Sequence, residues 1–198
     1  NNKIVRILHN QSFIDDPTRI IRGLKYASRL GFELDSHTLA LQNEYLQNIN
    51  YDMCYKRVKQ EIIKTFSEAL PEAIEEFVKQ GIYKLVAKNT QLVRHAELVS
   101  ASYPLATLDR SRNEFGMTQI MDIQRLIALY NPKHPWLVWF GCLFAGCDLS
   151  HFSFTKYEQE VLNGAKTLVE FEFKDILELY KVFSAQKLET LLILATLG

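Results

Sequence analysis

Asp15, Asp16, Arg19, Arg22, Lys25, Tyr26 and Arg29 fall within one short stretch of the chain, the densest group of chemically useful side chains in the sequence. An ionised carboxylate only accepts hydrogen bonds, whereas a guanidinium is a rigid fork of donors. Asp15 and Asp16 are adjacent rather than alternate, so their side chains point differently and make a poor site for a pair of metal ions. Arg19, Arg22, Tyr26 and Arg29 recur at three- and four-residue spacing with Lys25 beside them, and on a helix they form a stripe that can face a polyanion. On periodicity alone, an ordinary solvated face is the better reading of such a stripe. His9, His37, His95, His134 and His151 lack the spacing of metal ligands. Cys54, Cys142 and Cys147 form no CxxC pair, and an odd count is a poor disulfide framework, so they are expected to be reduced core residues of a cytoplasmic protein. No residue is assigned as catalytic or as a metal ligand.

The elements that must position these groups are helical. Asp16 stands at an N-cap position, Pro17 at the first helical position and Gly31 after Leu30 as a stop, which predicts a helix over 17–30. Ile20, Ile21, Leu24, Ala27 and Leu30 form its apolar face. Asp16 and Arg19 then both project from the first turn. Upstream, Ile4, Val5, Ile7 and Leu8 read as an extended piece followed by a turn over 9–12. Downstream, Ser36 caps a helix to about residue 47. Further helices are expected over 55–70, with Val58, Ile62, Phe66 and Leu70 on its stripe, and over 71–80, stopped by Gly81 and followed by one more turn over 82–86. Arg57 and Glu61 lie four apart on one face, where an exposed pair contributes only a few tenths of a kcal/mol; both are read as structural. Residues 88–113 are the least regular part. Helices follow over about 114–130, 136–147, 155–169, 174–183 and 186–197, with Trp136, Leu137, Trp139, Phe140, Leu143 and Phe144 as core or interface.

Composition agrees with this reading. The 198 residues are 47% hydrophobic and 23% charged, with only 8 Gly and 5 Pro to break helices. An all-α fold follows, an elongated arrangement of helices with a short extended N-terminal segment. The zero formal net charge excludes a uniformly basic nucleic-acid-binding surface. Residues 1–30 are nevertheless locally basic: Lys3, Arg6, Arg19, Arg22, Lys25 and Arg29 face only Asp15 and Asp16. No apolar run approaches the ~18 residues of a membrane span, and no secretory signal is present.

The segment from Ser12 to Phe32, SFIDDPTRIIRGLKYASRLGF, resembles the motif shared by bacterial tRNA nucleotidyltransferases (CCA-adding enzymes) and poly(A) polymerases. That motif is an acidic pair, two residues, Arg, two residues, Arg, then a small, a basic and an aromatic residue. Asp15, Asp16, Arg19, Arg22, Gly23, Lys25 and Tyr26 match it in register, and the preceding IVRILH resembles the family's lead-in. Asp15 stands where many members carry Glu, and Gly23 where Ala is commoner. Lys56, Arg57, Val58 and Glu61 resemble a second neck motif. Ala73, Ile74, Phe77 and the residues 81–85 resemble the helix and turn after it. From Trp136 onward only the helical body pattern remains, with Lys187, Leu188 and Glu189 near its end. Residues 94–102, RHAELVSAS, resemble a peptide that recurs in unrelated bacterial proteins through translated repeat DNA, or else form an ordinary surface helix turn.

The resemblance implies a neck over 1–87, a linker or insertion over 88–113 and a helical body over 114–198, cut at its end. It implies that Asp15, Asp16, Arg19 and Arg22 bind nucleotide, with Asp16 and Arg19 offering the base edge an acceptor and a donor, and that Lys25 and Arg29 meet RNA. Its implied partners are the tRNA 3′ end, CTP, ATP and a strand-rich head of the same parent chain. In the family that head holds Mg²⁺ through paired Asp residues; this chain carries no such Gly-Ser loop with a following Asp-x-Asp, so no cofactor is assigned to it and the chain alone is expected to be inert. The alternatives left open are a poly(A)-, CC- or A-adding enzyme and, from a different class, a stand-alone helical RNA-binding or protein-interaction module.

Overall fold

The computed structural model describes residues 3–68, 70–87, 112–169, 171 and 174–197. Among them are ten α-helices, one 3-10 turn and two strands of two residues each, so the all-α expectation holds. The described residues form two compact units. One holds those up to 87 together with Asp148–Ser153, and the other those over 112–147 and 154–197. The irregular stretch expected over 88–113, including 94–102, lies outside the described residues as far as 111.

In the first unit, α1 (Ser12–Asp15) leads into α2 (Thr18–Leu30). Asp16 is extended, with φ −154° and ψ 95°, and Pro17 is already helical at φ −60° and ψ −23°. The cap therefore sits at Asp16, as the sequence predicts. Gly31 closes the other end at φ 62°, and the Phe32 N–H donates to the Ala27 carbonyl at 2.9 Å, a left-handed closure that suits a residue without Cβ. The chain then pairs β2 (Glu33–Leu34) in parallel with β1 (Ile4–Val5), Ile4 opposite Glu33 and Val5 opposite Leu34. The extended N-terminal piece thus has its partner just after α2. Two-residue strands carry no alternation, so β2 left no signal in the sequence. The turn expected over 9–12 already enters α1 at Ser12.

Asp35, not Ser36, caps α3 (Ser36–Gln47): its Oδ2 accepts from the Thr38 N–H at 3.3 Å. Helix α4 (Tyr55–Ser67) is followed by α5 (Pro71–Lys79) and the 3-10 turn Ile82–Leu85, entered through Gly81 at φ 70°. Ile20, Ile21 and Leu24 of α2 are buried with Val58, Ile62 and Phe66 of α4 and Ile74 and Phe77 of α5, with the Phe66 and Phe77 rings 5.1 Å apart edge to face. Two residues assigned to these stripes are exposed instead. Leu30 is the last residue of α2, and Leu70 lies beyond α4, which stops three residues earlier than expected. Asp148–Ser153 packs in this unit through the His151 ring, 4.3 Å from that of Tyr55, and through Nε2 of His151, 2.7 Å from the Val86 carbonyl.

The second unit contains α6 (Arg112–Tyr130), α7 (Pro135–Leu143), α8 (Lys156–Val169), α9 (Ile176–Ser184) and α10 (Leu188–Leu197). Trp136 to Phe140 are all buried, as their apolarity requires, but α7 ends at Leu143 rather than near Cys147. Close approach sets the packing of α10. A Cβ on Gly141 would run into the side chain of Ile193, and one on Gly164 would sit 3.2 Å from Thr190 Cγ2. Glu189, buried at the start of α10, accepts from the His134 N–H at 3.0 Å and the Tyr157 hydroxyl at 2.7 Å, so its charge is satisfied. Burial, reinforced by that carboxylate, pushes the Tyr157 phenol up to about 12. Of the cysteines, Cys142 is buried and Cys147 half-buried, but Cys54 is exposed where α4 begins, contrary to the core expectation.

Gly141→Ala tests the close approach. The Cβ gains about 1 kcal/mol of helix propensity but overpacks against fully buried Ile193, which typically costs about 1–3 kcal/mol. Thermal unfolding is expected to show a lower Tm, partly restored by adding Ile193→Val. A higher Tm for Gly141→Ala alone would refute the packing argument.

Candidate functional site

The first turn of α2 concentrates the site's polar contacts. Asp16 is 8% exposed, and both of its oxygens are engaged. Oδ1 accepts from the Thr18 hydroxyl at 2.6 Å and the Thr18 N–H at 3.2 Å, while Oδ2 accepts from Nη2 of Arg57 at 2.7 Å. Burial by itself pushes the Asp16 carboxyl up; the Thr18 hydroxyl, the Arg57 charge and the Thr18 amide outweigh it and hold the group below its ordinary value. Asp16 is therefore a fixed, ionised acceptor.

Arg19 lies one turn into the same helix, but its guanidinium is not on Asp16. Its Nη1 donates to the Ser12 carbonyl at 3.1 Å, tying α2 back to α1. Arg19, Arg22, Gly23 and Tyr26 line one side of a cleft of about 360 Å³, whose other walls include Val5 to His9, Thr38 and Gln42. Three members of the stripe seen in the sequence thus share a concave surface rather than a flat solvated face. Lys25 and Arg29 are on the same helix, half-buried and exposed respectively, and neither is among the residues lining the cleft. Asp16 does not line it either. Asp15 is exposed, 3.8 Å from the His9 ring. A Cβ at Gly23 would meet only Leu34 Cδ2 at 3.8 Å, an ordinary contact, so no close approach requires glycine there.

The pairing of Arg57 departs from the sequence reading. Arg57 and Glu61 were placed on one helix face; in the structure Arg57 turns to Asp16 while Glu61 meets Lys64 at 3.0 Å. Both carboxylates are largely shielded, so screening does not separate them; Asp16 offers Arg57 the oxygen that Thr18 leaves open, while Glu61 is taken by Lys64. Arg57 thereby joins α4 to the start of α2.

Sequence reasoning missed three contributors. Thr18 was passed over, although a hydroxyl two residues after an N-cap Asp is placed for a local bond of this kind. Ser12 contributes only a backbone carbonyl, which no side-chain pattern can announce. Gln42 is fully buried in the cleft wall; its Nε2 donates to Gln80 Oε1 at 2.8 Å, and Gln80 Nε2 donates to Glu76 Oε2 at 2.8 Å. That relay fixes the amide orientation and leaves Gln42 Oε1 a buried acceptor with no donor among the described residues.

The residues present do not fit Mg²⁺. Three of the roughly four acceptor positions of Asp16 are taken, and a guanidinium nitrogen stands 2.7 Å from its Oδ2. Among the described residues no group of three or more His, Cys, Asp or Glu is arranged to hold a metal ion, and no helix is long and apolar enough to cross a membrane.

Arg57→Met is expected to destabilise the first unit by about 1–2 kcal/mol, between an exposed pair (~0–1) and a fully buried one (~3–5), because Arg57 is itself largely exposed. Since the Asp16 carboxyl lies low in the folded chain, its stabilisation is complete above the ordinary carboxylate value of about 4 and fades as pH falls through the folded value. Denaturant titrations at several pH values should therefore show the gap between wild type and variant narrowing below pH ~4. A gap unchanged from neutral to strongly acid pH would discount the ion pair.

No family model matches the chain. The A-adding tRNA nucleotidyltransferase of Geobacter sulfurreducens is 28% identical over 143 residues, 71% of this chain and 15% of that protein. The A-adding tRNA nucleotidyltransferase of Halalkalibacterium halodurans is 50% identical over 40 residues, 20% of this chain and 9% of that protein. A multifunctional CCA protein of Neisseria gonorrhoeae is 28% identical over 110 residues, half of this chain and 27% of that protein. The matched regions thus span no more than about a quarter of these relatives' length. Among solved structures, a CCA-adding enzyme in complex with ATP superposes with a TM-score of 0.66 at 17% identity, over 98% of this chain and 46% of that one. A tRNA nucleotidyltransferase complexed with a primer tRNA and an incoming ATP analog gives 0.66 at 18% identity, over 98% and 57%. At such identities the superpositions speak for the fold, and the sequence matches for a resemblance: the chain is similar to tRNA nucleotidyltransferases over a helical part of their length.

Proposed function

We propose that this chain is the nucleotide-selecting and tRNA-holding part of a cytoplasmic, template-independent enzyme that adds C, A or both to the 3′ end of tRNA. Residues 1–87 would select the nucleotide and the helical body over 114–198 would help hold the tRNA, with 88–113 as linker or insertion. The observation that carries the reading is the first turn of α2, where an ionised acceptor at Asp16 and the donor fork of Arg19 rise from one rigid helix end beside an arginine-lined cleft. Cytosine and adenine each present an amino donor next to a ring-nitrogen acceptor, whereas uracil and guanine present a carbonyl next to a ring N–H. A carboxylate with a guanidinium complements the first pattern and opposes the second. Two chemically different correct bases are thus accepted by one pair, with no nucleic-acid template.

Arg19 can keep one N–H on the Ser12 carbonyl and still offer others, since its fork carries five donors. Arg22 and Tyr26, on the same cleft wall, are assigned to the phosphates or ribose of the nucleotide, and Asp15 to nucleotide binding beside them. Lys25 and Arg29, beyond the cleft, are assigned to the tRNA backbone. Bond formation belongs to Mg²⁺ held by a head domain of the longer parent, because Asp16 is committed to Thr18 and Arg57.

In the complete parent enzyme, Arg19→Ala is expected to weaken use of CTP and ATP and to erode discrimination against UTP and GTP. Loss of a polar readout with unpaired partners can reach a factor of roughly 10⁴, and a tenth of that is easily measured. Arg29→Ala should leave selectivity intact and lower tRNA affinity or do nothing. Wild-type selectivity in Arg19→Ala with weaker tRNA binding would make Arg19 a phosphate contact and defeat the reading. The chain alone, incubated with labelled nucleotide, Mg²⁺ and tRNA lacking its terminus, is expected to incorporate nothing; clear incorporation by pure chain would mean that the division of labour is wrong.

A further inference from the structure

Thr18 belongs to no stripe and no ion pair, yet it is 3% exposed and makes two of the three hydrogen bonds that hold the Asp16 carboxylate. A carboxylate offers about four acceptor positions. The Thr18 hydroxyl and amide both fall on Oδ1 and Arg57 takes one position of Oδ2, which leaves a single acceptor position on Oδ2. The plane of the group is fixed by bonds at both ends. The hydroxyl bond, at 2.6 Å, is the shorter of the two on Oδ1, as expected for a hydroxyl donating to a charged oxygen. Its loss would leave the amide alone on that oxygen and free the carboxylate to rotate toward Arg57.

We propose that Thr18 is a positioning residue for nucleotide selection: its hydroxyl locks the Asp16 carboxylate so that one acceptor position, and no donor, is presented to the incoming base. This rests on the reading of Asp16 and Arg19 as the base-reading pair. The chemistry explains why a lock is needed. A carboxylate that picks up a proton becomes a donor and then suits the carbonyl of uracil or guanine, so selectivity against those bases requires the group to stay ionised as well as oriented. The charged group facing Asp16 from a neighbouring element is Arg57 of α4. On its own segment, Asp15 stands near His9 and Arg19 reaches the Ser12 carbonyl. Arg57 supplies charge from a largely exposed side chain, and the hydroxyl supplies direction from a buried one.

Thr18→Val removes the hydroxyl at nearly constant shape, Thr18→Ala removes it with less bulk, and Thr18→Ser retains it. In this chain, carbon-detected NMR titration of the Asp16 carboxyl is expected to show a rise toward the ordinary value in Thr18→Val and Thr18→Ala and none in Thr18→Ser. In the complete parent, the same two variants should lose about tenfold in discrimination of CTP and ATP against UTP and GTP, the scale of one charge-assisted bond, and Thr18→Ser should restore it. Thermal unfolding of each variant separates this from stability. If Arg19→Ala lowers selectivity while Thr18→Val and Thr18→Ala do not, the lock is refuted and the base-reading pair stands. If Arg19→Ala leaves selectivity unchanged, the pair itself fails and the lock with it. Loss of the fold in both hydroxyl-free variants, with Thr18→Ser folded, also overturns the proposal, since the hydroxyl would then serve the fold rather than selection.

Discussion

The carboxylate of Asp16 is a charge held beneath the protein surface, and the first unit is arranged so that this charge is never uncompensated. Burial opposes ionisation, and three hydrogen bonds, one from a guanidinium, more than offset it. The bonds come from two places: Thr18 belongs to the helix that Asp16 caps, whereas Arg57 belongs to α4, forty-one residues away. Satisfying one charge therefore fixes the start of α2 and its packing against α4 together. Removing either partner would leave a buried charge short of a bond, which is costlier than never having made the bond.

From that fixed start, α2 carries two functions on two faces. Ile20, Ile21 and Leu24 are buried to 2% exposure or less, which prevents the helix from rotating. Arg19, Arg22 and Tyr26 are consequently held toward the cleft, where the extended residues before α1 and the buried amide of Gln42 complete the wall. The short parallel pairing of β1 with β2 holds that extended segment in place, and the Ile7 N–H bond to the Thr38 hydroxyl at 3.2 Å extends it to α3. Under the proposed reading, selection by such a wall would depend on rigidity: donors and acceptors that cannot move penalise a mismatched base, whereas mobile ones would adapt to it.

The second unit solves the same problem of buried charge differently. Glu189 is more deeply buried than Asp16; among the described residues a backbone N–H and the Tyr157 hydroxyl satisfy it, and Lys187 lies 5.5 Å over the Tyr157 ring. Each oxygen accepts from one neutral donor, so neither is left without a partner. Small residues do the rest: a Cβ at Gly141 would collide with Ile193 of α10, and one at Gly164 would be tight against Thr190.

Helix-level facts were legible in the sequence because they are local. Asp16 before Pro17, Gly31 after Leu30 and the three-four spacing of Ile20, Ile21, Leu24 and Ala27 act within a few residues, so the order of types is enough to fix α2, and the acidic pair with its two arginines carries the resemblance. Some local detail was misread all the same: Asp35 rather than Ser36 caps α3, and α4 ends before Leu70 can join its stripe. What only tertiary structure decided was partnership across the chain. Arg57 could have paired with Glu61 one turn away, yet it bonds to Asp16 at the start of another helix; Arg19 took a backbone carbonyl rather than the carboxylate beside it; and β1 pairs with β2 across the whole length of α2 in sequence. Those choices follow from which groups come within hydrogen-bond reach once the apolar faces have met. Reach depends on three-dimensional packing, and no spacing along the chain encodes it by itself.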